Sequence, residues 1–102
     1  MKDQIVLRKL EQPVHAAETG YGLVLRREGS GYWLVQQRAY ARSGGTTEYT
    51  ERCFRIEKDF FAGANLETLA RRIRKHTDMI WRYTECPDKT ALIALMGRKR
   101  CY

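Results

Sequence analysis

The stretch GYGLVLRREGSGYWLVQQRAY, residues 20–40, decides the fold. Two runs rich in aromatic and branched residues flank Gly29-Ser30-Gly31, and strand-forming runs on either side of a glycine turn predict a β-hairpin. With a three-residue turn, Gly31 takes the left-handed position that such loops need. Leu23, Leu25, Trp33 and Val35 then share one face, and Val24, Arg26, Leu34, Gln36, Arg38 and Tyr40 share the other. A two-residue turn is the alternative, and it changes the register and so the faces.

Outward from the hairpin, residues 41–47 combine paired glycines with small polar neighbours and read as a flexible loop. Residues 48–58 return as a third strand, with Phe54 and Ile56 alternating with Arg55 and Glu57. Residues 4–10 read as a further strand or a short helix before Pro13. Asn65 is an N-cap, and Glu67 sits in the positively polarised first turn of the helix that follows. Leu66, Leu69, Ile73, Thr77 and Ile80 fall on one stripe at about 100° per residue, which predicts an amphipathic helix over about 65–83. Cys86-Pro87-Asp88-Lys89 is a turn signal. Residues 90–96 fit a strand or a short helix.

The fold class expected is therefore α+β: one small domain over 1–97, an antiparallel sheet of three to five strands packed by one helix, then a basic tail at 98–102. A chain of 102 residues has room for one such domain. The longest apolar run, residues 91–96, is far short of the roughly 20 residues that span a bilayer. The charged N-terminal stretch does not read as a secretory signal, and the expected location is the cytoplasm. Three cysteines at wide spacing, Cys53, Cys86 and Cys101, do not make a disulfide framework. With only His15 and His76 beside them, no metal site is expected. No nucleotide-cofactor or catalytic motif occurs, so no cofactor is expected and catalysis is not the leading reading.

Charge is more informative. The net charge is +7, and its distribution is uneven: residues 1–51 hold 7 Lys/Arg and 6 Asp/Glu, whereas residues 52–102 hold 12 and 6. A local positive field attracts phosphates, acidic proteins or anionic lipid. On the helix, Arg71, Arg74, Lys75 and Arg82 point away from the apolar stripe, a spacing that can track a phosphate backbone. Glu67 with Arg71 and Asp78 with Arg82 stand at i,i+4, the arrangement of charge pairs on any solvated helix. Arg72, Arg74 and Lys75 are then left unpaired, joined in sequence by Arg98, Lys99 and Arg100. On the strands, Tyr21, Tyr32, Trp33, Tyr40 and Tyr49 interleave with Arg26, Arg27, Arg38 and Arg52, a composition used by surfaces that stack single-stranded nucleic acid.

The run from Gly20 to Leu34 resembles the strand-turn-strand of HicA-type messenger-RNA-cleaving toxins, which carry Gly-Ser-His at the turn. Gly31 stands at the histidine position, so the side chain carrying that chemistry is missing. Three strands followed by a helix also resembles the arm-type DNA-binding domains of tyrosine integrases, without a specific motif. The leading expectation is a small, basic, non-catalytic nucleic-acid-binding or regulatory protein with DNA or RNA as partner. It would hold phosphates through Arg71, Arg72, Arg74, Lys75, Arg82, Arg98, Lys99 and Arg100. The alternative is a protein inhibitor or adaptor docking on an acidic or nucleoprotein partner, of the phage anti-defence type. A ribonuclease toxin using His15 or His76 comes third.

Overall fold

The computed structural model describes residues 4–29, 31–57, 60–61 and 65–97. Four antiparallel strands, β1 (Gln4–Arg8), β2 (Thr19–Glu28), β3 (Gly31–Ala41) and β4 (Thr47–Ile56), form one sheet in sequence order. Two helices follow, α1 (Leu66–Thr77) and α2 (Lys89–Leu95), with a single 3-10 turn at Tyr83–Glu85 between them. The α+β expectation holds, and residues 4–8 are the strand that completes the sheet.

The hairpin register differs from the three-residue-turn reading. Glu28 pairs with Gly31, which leaves two residues in the loop, and it is Gly29 that takes the positive φ of 59°. A one-residue change in register reverses which residues share a face. Leu23 and Leu25 therefore lie with Tyr32, Leu34, Gln36 and Arg38, while Val24 and Arg26 lie with Trp33 and Val35.

The face bearing Leu25 and Leu34, here called the front, carries the core. Cross-strand partners Ile5, Leu25, Leu34 and Phe54 make one wholly apolar row. Leu69 and Ile73 of α1, Met79, Trp81, Cys86 and Leu92 of α2 close over it. Burying each Leu or Ile contributes about 1.5–3 kcal/mol, whereas the exposed Arg26–Glu51 ion pair on the back face contributes about 0–1. On that back face, the segment at Leu10–Glu11 passes so near the sheet that a Cβ on Gly22 would stand 2.8 Å from the Leu10 Cα. Tyr49 Oη donates to Gln12 Oε1 at 2.9 Å and holds the same segment.

α1 begins as the sequence implies, with Asn65 Oδ1 accepting from the Thr68 N–H at 2.8 Å. It ends at Thr77, six residues before the predicted end near Tyr83. Asp78 adopts the left-handed conformation (φ 60°) and its N–H donates to the Arg74 carbonyl. The buried Thr77 hydroxyl donates to the Ile73 carbonyl at 2.8 Å and accepts from the Met79 N–H at 3.1 Å. The chain then runs extended, so that Trp81, not Ile80, enters the core, its Nε1 donating to the Leu7 carbonyl at 2.8 Å. Ile80, assigned to the apolar stripe by its spacing, is 61% exposed.

β1 is an edge strand. Its outer side is closed by the C-terminal segment: Val6 N–H donates to Asp88 Oδ2 at 2.8 Å and Cys86 Sγ donates to the Val6 carbonyl at 3.4 Å. Edge strands are protected from further pairing by such covers. Residues 90–96, open to strand or helix from sequence, lie mostly in α2, which turns Leu92 and Met96 inward.

Candidate functional site

The front face changes character within one step of the pleat. Next to the apolar row lies the cross-strand row Arg8, Leu23, Gln36 and Arg52, and beyond it Tyr21, Arg38 and Thr50. Arg8 reaches this row because a bulge at Leu7 shifts the β1 pairing by one residue. Leu23 joins the core, and beside the polar members of these rows α1 stops at Thr77. What remains is a groove of about 410 Å³ lined by Arg8, Tyr21, Gln36, Arg38 and Arg52 from the sheet. Its other wall is Thr77, Asp78, Met79 and Ile80, the chain leaving α1.

Three of these side chains are arginines. Arg8 is paired with Glu11 at 3.3 Å, an exposed contact. Arg38 donates from Nη1 to Tyr40 Oη at 3.2 Å, a bond that favours its charged form, and lies 5.8 Å over the Tyr21 ring. Arg52 lies 5.2 Å over Phe54, and no acidic side chain pairs with it among the described residues. Gln36 is 3% exposed, yet its Oε1 has no hydrogen-bond partner, and neither has the buried Nε of Arg38. An unpaired buried polar atom costs about 1–3 kcal/mol, so two at one groove call for an explanation.

A second concave surface involves α1. Phe54 and Phe60 flank the His76 ring at 6.4 and 5.5 Å, and beyond them Phe60, Arg72, Lys75 and His76 line a second hollow of about 550 Å³. Here the expected charge pairing is reversed. Glu67 makes no ion pair with Arg71, while Arg72 is committed to the Phe60 carbonyl at 2.5 Å. Arg71, Arg74 and Lys75 are exposed on the outer face of α1 without an intramolecular partner among the described residues. Arg82 is exposed but lies past the end of the helix, so it is not part of that face and forms no helical pair with Asp78. Arg98, Lys99 and Arg100 lie outside the described residues.

The strand aromatics divide between the two faces. Trp33 and Tyr49 are on the back, where Arg55 lies 5.6 Å over Trp33, and Tyr32 is packed against Phe61 at 5.8 Å. Of the set, Tyr21 alone lines the groove. His15 is exposed in the loop before β2, where Glu18 accepts from the Val14 and His15 N–H groups, which lowers the Glu18 carboxyl below its usual range. Among the described residues no three His, Cys, Asp or Glu side chains are grouped to hold a metal ion, and no helix is long and apolar enough to cross a membrane. Comparison of the chain with protein-family models, with curated proteins and with solved structures gives no match.

Proposed function

We propose that the protein is a small, non-catalytic nucleic-acid-binding or regulatory protein that holds phosphates through the outer face of α1. The observation that carries this reading is the trio Arg71, Arg74 and Lys75, exposed along one side of the helix and uncommitted to any acid of the described chain. Cations so placed displace counterions from a phosphate backbone, and arginine adds a fork that matches phosphate oxygens. Arg72 contributes less, since its guanidinium already bonds the Phe60 carbonyl. Arg98, Lys99 and Arg100 are proposed to extend the contact.

Titration of labelled duplex DNA, single-stranded DNA and RNA at several salt concentrations tests the reading. Binding should weaken steeply with salt. Replacing Arg71, Arg74 and Lys75 together with Gln should reduce the slope of log K against log salt by roughly 2–3, about 0.7–0.9 per lost contact. Absence of binding to all three at low salt would sink the proposal. A second reading, docking on an acidic protein or nucleoprotein, is favoured by Ile80, an exposed apolar side chain at the rim of an arginine-lined groove. That reading requires a protein partner to compete for the same surface.

A further inference from the structure

We propose that the groove at the C-terminal end of α1 receives one unpaired nucleotide of a single-stranded nucleic acid. The inference rests on the nucleic-acid reading above and adds a second site, on the sheet, to the phosphate contacts of the helix. The groove's polar atoms specify what fits. Gln36 lines the groove and its buried Oε1 lacks a donor, so the ligand proposed for it brings an N–H or O–H. Arg38 Nε is buried and lacks an acceptor, and Arg52 adds an exposed positive charge one strand away. A carboxylate or a fully ionised phosphate meets the arginines and leaves the glutamine unmet. A nucleotide meets both, with its phosphate on Arg38 and Arg52 and the amino edge of its base, or a ribose hydroxyl, on Gln36.

The remaining walls suit a flat ring. Tyr21 and the Arg38 guanidinium above it offer planar surfaces, and the other wall sets the apolar Met79 and Ile80 beside Thr77 and the acidic Asp78, so the phosphate is placed on the arginine side. At about 410 Å³ the groove lies in the range of small-ligand sites, roughly 300–1,000 Å³, and has no space for a stacked duplex. Bases splayed from a single strand are read in this way, by stacking and by their hydrogen-bonding edges.

The test compares 12-nucleotide single strands of A, C or U, a blunt duplex of equal length, free AMP and UMP, and an oligoglutamate peptide. Each is titrated against the full chain. Gln36→Leu, which removes the orphaned acceptor, should weaken single-strand binding about tenfold, leave the duplex unchanged and melt no lower than the parent. Arg52→Gln, at an exposed position, should weaken the single strand and flatten its salt dependence by about one contact. If both variants keep the parental single-strand affinity while Arg74→Gln/Lys75→Gln loses it, the groove assignment fails and the helix reading stands. If the parent binds no nucleic acid at all, the underlying reading fails with it. Free AMP or UMP binding as tightly as the 12-mer overturns the assignment to a strand. Oligoglutamate binding that Gln36→Leu abolishes, with no nucleic acid bound, gives the groove to an acidic protein segment instead.

Discussion

Two neighbouring rows of one sheet face have opposite fates. Leu25 and Leu34 fill the core with Ile5 and Phe54 packed against it, whereas in the row one pleat further on only Leu23 joins the core, and Arg8, Gln36 and Arg52 border an open groove. Both rows cross the same four strands, and the second is the one that meets the chain leaving α1. The difference teaches that the boundary of the groove is written in the helix, at the residue where α1 turns left-handed, as much as in the sheet.

Breaking the covered half should have the largest effect. Trp81→Ala removes a buried ring from the core and leaves the Leu7 carbonyl without its donor. A loss of about 3–5 kcal/mol is expected, measured by urea denaturation, and near-parental stability would show that the extended segment after α1 contributes little. The boundary itself comes next. Thr77→Val keeps the shape but deprives the buried Met79 N–H of its acceptor, and about 1–3 kcal/mol should be lost. Thr77→Ser should recover most of it, because the hydroxyl alone carries both bonds.

The smallest effect concerns the seal on β1. Burial raises the Cys86 thiol above its ordinary value of 9.0, so the thiolate is disfavoured in the folded chain. A group raised on folding contributes stability that is full below its unfolded pKa and is lost as the pH climbs through the folded one. Denaturation midpoints at pH 7 and pH 10 should therefore fall further for the parent than for Cys86→Ala. Equal falls would remove Cys86 from the account of alkaline instability.

Much of this architecture is legible in the sequence, and the failures are local. The hairpin, the return strand and the Asn65 cap follow from alternation and from capping chemistry. The register was ambiguous because Gly29-Ser30-Gly31 supplies glycine to either turn length, and one residue of difference exchanges Leu34 for Trp33 on the core face. The helix end was hidden because Ile80 continues the apolar period and Asp78 is not the glycine that usually marks a left-handed stop. The groove was beyond reach for a different reason. Arg8, Gln36 and Arg52 are far apart in the chain and become neighbours only through the pairing of four strands. Arg38, Arg52 and Tyr21 stood out as an aromatic and basic set, but only the correct register puts them on one face beside Gln36.

The bonds joining Val6 and Leu7 to Trp81, Cys86 and Asp88 span 74 to 82 residues of chain. During synthesis, at about 5–20 residues per second, the partners of Val6 emerge roughly 4–16 s after it. A hairpin such as β2–β3 forms in about 1–10 μs once both strands are free. β1, made before the other strands of its sheet, is thus the last of them to be sealed, and for those seconds its outer edge is open to any passing strand. The nascent chain's exposure to mispairing is set by how late Asp88 arrives.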